Sequence, residues 1–155
     1  LAESGVSPDI ETAKETLARS LKDGTALDKL AEFVEAQGGD RRAVYDTSLL
    51  PEAPVKLEVE SKQSGFVRHM KTDGVGLVSL HLGGGRATKE SKIDLAVGIV
   101  LKKKTGDRVE TGESLATIHA SSPEKAREAA EMLRRCYEIG PDEPKKTPFI
   151  KGIIR

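Results

Sequence analysis

One glycine-rich stretch constrains this chain more than any other part of it. Residues 83–120 begin with three consecutive glycines and Arg86, and continue into an apolar run at 93–101. Gly106-Asp107 and Gly112 separate this run from a second apolar segment at 115–120. Because glycine is typical of tight turns between strands, the stretch predicts a long strand and a short strand joined through tight turns.

Further strands are predicted outside this stretch. Residues 55–60 alternate apolar and charged side chains, which is typical of a half-buried strand. Residues 65–70 predict a second strand after a tight turn, and residues 149–154 predict a further short one. In the 93–101 run Ala96, Gly98 and Val100 alternate with the larger apolar residues, so we expect both faces of that strand to be covered.

Two helices are predicted near the start of the chain. The first has Ser7 as its N-cap and ends near Lys22, before a glycine. The second begins at Thr25, where Thr25 and Asp28 have the spacing of a capping box, and it ends at Gly38. The second helix has one apolar stripe, made of Leu27, Leu30, Ala31 and Val34.

Two more helices are predicted further along. Ser122, followed by Pro123, opens a helix whose small residues suggest close packing against a sheet or another helix. Its narrow apolar face consists of Ala126, Ala129, Ala130 and Leu133. A shorter helix is predicted at 73–82, anchored by Val75, Leu77 and Leu80.

The pattern of apolar and polar residues changes between the early helices and the strands. Prolines and hydroxyl residues interrupt the periodicity near residues 40–54. We therefore expect a helical segment at 1–40, a linker at 41–54 and an α+β domain at 55–155.

Composition excludes several classes of function. Basic and acidic side chains number 25 each, and aromatic residues make up only 3% of the chain, so neither a basic excess nor stacking residues indicate nucleic-acid binding. No apolar run approaches the roughly 18 residues of a membrane span. Cys136 is the single cysteine, which excludes an internal disulfide and favours the reducing cytoplasm.

Six short segments carry a family resemblance. They are AQGGD at 36–40, SGFV at 64–67, GRATKE at 85–90, IDLAVGI at 93–99, GDRV at 106–109 and GESL at 112–115. In order and spacing they resemble the C-terminal part of the pyrimidine-nucleoside phosphorylases, which include the thymidine phosphorylases. The resemblance covers nearly the whole chain.

The resemblance implies both a fold and an activity. The implied fold is α+β: a C-terminal domain built as a β-sandwich or barrel hybrid with flanking helices, preceded by two helices of a truncated α/β domain. The implied reaction is phosphorolysis, in which the co-substrate inorganic phosphate displaces the base of a pyrimidine nucleoside and leaves a pentose 1-phosphate. The whole enzyme is implied to be a homodimer.

The resemblance also implies where the chemistry lies. The family's phosphate loop and its base-gripping Arg, Ser and Lys set belong to the front half, and neither matches any position here. We therefore expect no catalytic, cofactor-binding or metal-binding residue in this chain. Its first residue is Leu1 rather than Met, which agrees with an inactive C-terminal fragment whose partner is the rest of its own polypeptide.

The glycine run allows two interpretations. Its backbone N–H groups and Arg86 resemble an anion-binding nest. The alternative is a loop held between a helix and a strand, which the absence of a Gly-Lys-Ser/Thr continuation favours.

Two alternative functions stay open. The glycine-bounded turns also resemble those of biotinyl and lipoyl carrier domains, for which Lys71 is the one tempting attachment residue; a free interaction module would use the same architecture. The second alternative is a phosphorylase acting on nucleoside monophosphates. The choice between uridine and thymidine depends on residues that the family keeps elsewhere.

The remaining reactive side chains favour structural roles. His69, His81 and His119 lack metal-ligand spacing, and Cys136 is expected to be a buried thiol on the apolar side of the last helix. The lysines at 102–104 and 145–146 are expected to be solvated, and Asp94 and Glu113 do not form a convincing acid–base pair.

Overall fold

A computed structural model describes residues 1–86, 88–145, 148 and 150–152 of the 155-residue chain. The chain divides into two compact units, Leu1–Leu50 and Pro51–Arg155. The division falls within the segment predicted to be a linker. In that segment the chain forms a short helix and a 3₁₀ turn, and its role as a linker between domains stays a prediction.

The first unit is helical. Its elements are α1 (Ile10–Lys22), α2 (Thr25–Ala36), the short α3 (Arg42–Tyr45) and a 3₁₀ turn (Thr47–Leu49). Helices α1 and α2 pack against each other. Both long helices end close to the predicted positions, because a glycine follows each of them in the left-handed conformation, Gly24 at φ +88° and Gly38 at φ +81°.

The start of α1 differs from the prediction. Asp9, rather than Ser7, is the N-cap, since its Oδ1 accepts a hydrogen bond from the Thr12 backbone N–H at 2.8 Å. This bond and the positive end of the helix dipole stabilise the carboxylate, and the bond lowers the pKa of Asp9. Ser7 is buried ahead of the helix.

The capping box predicted for α2 is wrong. The N-cap is Gly24, so Thr25 is the first helical residue. The Thr25 hydroxyl donates instead to Asp23 Oδ1 at 2.7 Å, and Asp28 Oδ1 accepts from the Tyr45 hydroxyl at 2.7 Å. Both polar side chains of the expected box therefore bond to residues outside it.

The apolar stripe of α2 is only partly covered. Ala31 is fully buried, whereas Leu27 and Leu30 remain 44% and 49% exposed. Leu17 and Leu21 of α1 are 53% and 76% exposed. The helices of this unit thus leave a series of leucines in contact with solvent.

The second unit combines strands and helices. In chain order it contains β1 (Val55–Glu60), β2 (Gly65–Met70), α4 (Thr72–Leu82), β3 (Gly98–Leu101), β4 (Arg108–Val109), β5 (Ser114–Ala120), α5 (Pro123–Arg134) and β6 (Tyr137–Gly140). They form two antiparallel three-stranded sheets, one of order β1-β5-β3 and one of order β4-β2-β6. The expected α+β class is confirmed.

One core joins these elements. Helix α5 packs against α4, β1 and β5. Its N-cap is Ser122, followed by Pro123 as predicted, and its small-residue face is buried. The largest fully buried side chains of the core come from both sheets and both helices: Val59, Val67, Val78, Leu82, Val109, Leu115, Ile118 and Leu133.

The long strand predicted at 93–101 is wrong over its first half. Strand β3 begins only at Gly98. The Asp94 carboxylate accepts a hydrogen bond from the Ala96 N–H at 3.0 Å, and the Asp94 N–H donates to the Gly83 carbonyl at 2.9 Å. The local bond between Asp94 and Ala96 competes with an extended strand, and Leu95 is left 80% exposed. The expected cover on both faces is also wrong at Val100, which is 54% exposed.

Other differences are smaller. Helix α4 buries Val78 and Leu82, whereas the predicted anchor Leu77 is 59% exposed. Strand β6 was not predicted. Half of the strand predicted at 149–154 lies outside the described residues, and residues 150–152 do not form a strand. No helix in the described part of the chain has the length and apolarity to cross a membrane.

The core packing yields a stability prediction. Leu133 is fully buried, so Leu133→Ala leaves a cavity and should lower the free energy of unfolding by about 2–5 kcal/mol. Leu95→Ala removes the same atoms from an 80% exposed position and should change it by less than about 0.5 kcal/mol. Urea denaturation of the two variants measures both values; equal losses would contradict the assignment of this core.

Candidate functional site

The glycine run follows α4 as a helix cap. Gly83 is left-handed with φ +105°, its N–H donates to the Leu80 carbonyl at 3.0 Å, and the Gly84 N–H donates to the Ser79 carbonyl at 2.9 Å. This pair of bonds is a Schellman motif. The two N–H groups point back at the carbonyl end of α4, where the helix dipole is negative, so this geometry favours the structural interpretation over an anion nest.

Close packing explains the next two glycines. A Cβ at Gly84 would lie 2.9 Å from the Ser79 hydroxyl oxygen, and one at Gly85 would lie 3.1 Å from a methyl group of Leu80. The loop therefore folds back over the last turn of α4. Arg86 is exposed.

The three histidines lie on different elements. His81 Nε2 is 3.1 Å from Glu128 Oε2 and links α4 to α5. His69 lies on β2, and His119 lies on β5, paired in register with Lys56 of β1. Among the described residues, no group of three or more His, Cys, Asp or Glu side chains has the arrangement of a metal site.

Lys71 does not occupy a hairpin tip. It lies between β2 and α4, and its backbone N–H donates to the Cys136 carbonyl at 2.9 Å. Its Nζ is 4.0 Å from Glu138 Oε1. A carrier domain presents its lysine on a projecting turn, so this placement does not favour the carrier alternative.

Cys136 lies just past α5 rather than on its apolar side. Its thiol is buried, contacts the Met132 carbonyl at 3.5 Å, and has its pKa raised by burial. A thiol with a raised pKa is a poor nucleophile at neutral pH.

Lys102 forms part of a polar network on the solvent side of the first sheet. Glu58 accepts hydrogen bonds from Lys102 Nζ at 2.7 Å, from the Ser114 hydroxyl, and from the Thr117 hydroxyl at 2.8 Å. These bonds, with the Lys102 ammonium foremost, lower the pKa of Glu58 to about 2. The network ties β1 to β5 and to the residue that follows β3.

Lys103 is not simply solvated, in contrast to the prediction. Its side chain is 20% exposed, and its Nζ lies 2.5 Å from Glu113 Oε1 and donates to the Arg108 carbonyl at 2.9 Å. The bond from Lys103 is the main cause of the lowered pKa of Glu113. Glu113 and Asp94 therefore have separate structural partners, a lysine for the first and a local backbone N–H for the second.

Tyr137 completes this network from the interior and was missed in the sequence. Its hydroxyl donates to the Lys103 carbonyl at 3.0 Å, and burial raises its pKa to about 12. A tyrosine that stays neutral at all physiological pH values acts here as a hydrogen-bond donor. The signal that could have indicated it is the alternation of Tyr137 and Ile139 directly after α5.

Comparisons with known proteins agree with this fold. Residues 66–140, from β2 to β6, match the family described as the pyrimidine nucleoside phosphorylase C-terminal domain. The chain is 50% identical over 121 residues to a pyrimidine-nucleoside phosphorylase of Geobacillus stearothermophilus, covering 78% of this chain and 28% of the relative. Pyrimidine-nucleoside phosphorylases of Bacillus subtilis (strain 168) and Staphylococcus aureus (strain USA300) are 46% identical over 112 residues, 72% of this chain and 26% of each relative.

These matches confirm the resemblance that the six sequence segments predicted. Residues 66–140 of the α+β unit are similar to a C-terminal domain of the phosphorylase type, and the similarity to a named pyrimidine-nucleoside phosphorylase extends over 78% of this chain. The chain spans a little over a quarter of the length of these curated relatives. The expectation that it holds no catalytic, cofactor-binding or metal-binding residue stays a prediction.

The Glu58 network yields a prediction about pH. The pKa of Glu58 falls from an ordinary value of 4.5 to about 2 in the folded chain. Its ionised form therefore stabilises the fold above about pH 4.5, and this contribution is lost as pH falls towards 2. Glu58→Gln should be less stable than the parent at pH 7, with a difference that shrinks as pH falls.

Urea denaturation midpoints between pH 7 and pH 2 measure this effect. Glu52→Gln is a matched control, because Glu52 is 69% exposed and only 3.6 Å from its partner Lys56. A Glu58→Gln difference that stays constant over the whole pH range would show that the network does not stabilise the ionised carboxylate.

Proposed function

We propose that the chain forms the C-terminal part of a pyrimidine-nucleoside phosphorylase and has a structural role in it. The whole enzyme would use inorganic phosphate to displace the base from a pyrimidine nucleoside. The observation that carries this proposal is the 50% identity to a relative named as such an enzyme, in which this chain corresponds to 28% of the length.

The geometry of the glycine loop supports a structural role. The chemistry needs donors that hold a phosphate dianion and stabilise the departing base. The N–H groups of Gly83 and Gly84, which would be the first donors of a phosphate nest, are bonded to helix carbonyls. On this proposal the reactive groups belong to the rest of the enzyme, and the chain alone has no phosphorolytic activity.

The exposed leucines of the first unit support a partner. Leu21, Leu27 and Leu30 line a largely apolar groove of about 440 Å³ at the turn between α1 and α2. Burying one leucine side chain contributes roughly 1.5–3 kcal/mol, so covering this groove would strongly stabilise a complex. The proposed occupant is the remainder of the same polypeptide, because the relatives align with this chain over only a quarter of their length.

The proposed role is mechanical. The second unit has a continuous core fastened by the Glu58 and Lys103 networks, which suits a rigid support. Such a support would brace the catalytic domain while it closes on its substrates and excludes water. A homodimeric assembly and a cytoplasmic location of the whole enzyme belong to the same proposal.

A chimeric enzyme tests the proposal. The region of the Geobacillus stearothermophilus enzyme that aligns with this chain would be replaced by the corresponding residues of this chain. We expect the chimera to catalyse phosphorolysis of uridine or thymidine, whereas the deletion variant lacking that region and the 155-residue chain alone should show no turnover. Turnover by the chain alone, or an inactive but folded chimera, would overturn the proposal.

The groove yields a separate prediction. Leu21→Ser should leave the isolated chain about as stable as before, because Leu21 is 76% exposed. In the chimera the same change should lower the thermal midpoint, because the side chain would then be covered. Leu95→Ser, at an 80% exposed position of the second unit, is the matched control. Equal thermal midpoints for the two chimeric variants would contradict docking at this groove.

A further inference from the structure

Strand β2 contains an irregularity that turns two neighbouring side chains towards one cleft. Val67 pairs with Ile139 of β6 and His69 pairs with Glu138, so Arg68 is an extra residue without a partner in the ladder. In a regular strand Arg68 and His69 would point to opposite faces. The bulge changes this, and both residues line the same cleft.

Gly140 of β6 makes room for the arginine. A Cβ at this position would lie 2.7 Å from Arg68 Cδ, so the aliphatic part of the side chain lies directly over the glycine backbone. The guanidinium also lies close to Gly140, with Arg68 Nη1 3.6 Å from the same Cβ position. Among the described residues, it forms no hydrogen bond or ion pair that would occupy its donors.

The side chains around the cleft carry more positive than negative charge. Lys145 lines it together with Arg68 and His69, and the carboxylates that face them belong to Glu138 and Glu143. The nearby ammonium of Lys71, 4.0 Å away, pairs with Glu138 and offsets its charge. The cleft and its surroundings thus contain three cationic side chains, those of Arg68, Lys145 and Lys71, and the His69 imidazole, but only two carboxylates.

We propose that this cleft, between the bulge of β2 and the segment after β6, binds a small phosphate group. The guanidinium fork of Arg68 matches two phosphate oxygens, while Lys145 and the His69 ring supply further donors. The cleft has a volume of about 640 Å³, within the range of roughly 300–1,000 Å³ for small-molecule sites. The ligand class is therefore inorganic phosphate or a small phosphomonoester, with a Kd on the order of 1 mM for so exposed a site.

The three histidines of the chain provide the measurement. Their ring signals in ¹H–¹³C NMR spectra report on three different places, since His69 lies in the cleft, His81 pairs with Glu128, and His119 lies on the first sheet. The full chain is titrated with inorganic phosphate, and separately with glycerol 3-phosphate, at fixed pH and with sodium chloride holding the ionic strength constant. The His69 signals should move and saturate, while those of His81 and His119 stay in place.

Two variants test the roles of charge and geometry. Arg68→Ala should weaken binding at least about tenfold, the loss of one good charge-assisted contact. Gly140→Ala keeps every charge but displaces the Arg68 stem, and it should also weaken binding. Arg108→Ala is the control, because Arg108 lies on β4 of the same sheet and pairs with Glu110; its binding should match the parent.

Several outcomes would overturn the proposal. These are His69 shifts that grow linearly without saturation, shifts shared by all three histidines, and shifts unaffected by Arg68→Ala. A response to glycerol 3-phosphate alone assigns the site to phosphomonoesters, and a response to both ligands assigns it to the phosphate group itself. The test uses binding only, so its failure is distinct from failure of the phosphorylase proposal.

Discussion

The packing of α5 on the first sheet is the contact on which the second unit depends. Ala126, Ala129 and Ala130 present a nearly flat face of methyl groups, and all three are buried. Small residues let the helix axis approach β1 and β5 closely, so Leu133 at the end of this face is completely enclosed. The same helix contacts α4, whose last turn carries the glycine cap. Helix α5 thus contacts the helix that carries the glycine cap, although the cap and the alanines are some forty residues apart in the sequence.

Much of this fold was predictable because its signals are local. The charge alternation of β1, the proline-led start of α5 and the glycines after α1 and α2 each involve neighbouring residues, and the structure confirms them. The predictions were wrong where a polar side chain could form a hydrogen bond with more than one partner. Asp94 bonds to the backbone two residues ahead and ends what the apolar pattern indicated as strand. Asp9 rather than Ser7 is the N-cap, because the Asp9 carboxylate accepts a hydrogen bond from the backbone N–H of Thr12.

The polar networks could not be predicted, because their members are distant in the sequence. Lys102 and Glu58 are 44 residues apart, and Tyr137 and Lys103 are 34 residues apart. The sequence of a lysine run before a turn does not reveal whether its lysines are solvated or packed against a glutamate. The bulge in β2 is equally hidden, since Arg68 and His69 continue an ordinary strand pattern until the register with β6 is known. Which charged side chains lie close together therefore depends on how the strands pair, and strand pairing involves the whole sheet.

The two units differ in how far they cover their own apolar side chains, and this difference bears on function. In the second unit the large buried side chains belong to one core, and polar networks fasten the strands around it. In the first unit only two alanines of the long helices are buried, while leucines on both helices stay exposed. A unit with so small a core would gain stability if its exposed leucines were covered. The proposed structural role accounts for this difference, since the α+β domain would act as the support and the exposed leucines would be covered by the rest of the enzyme.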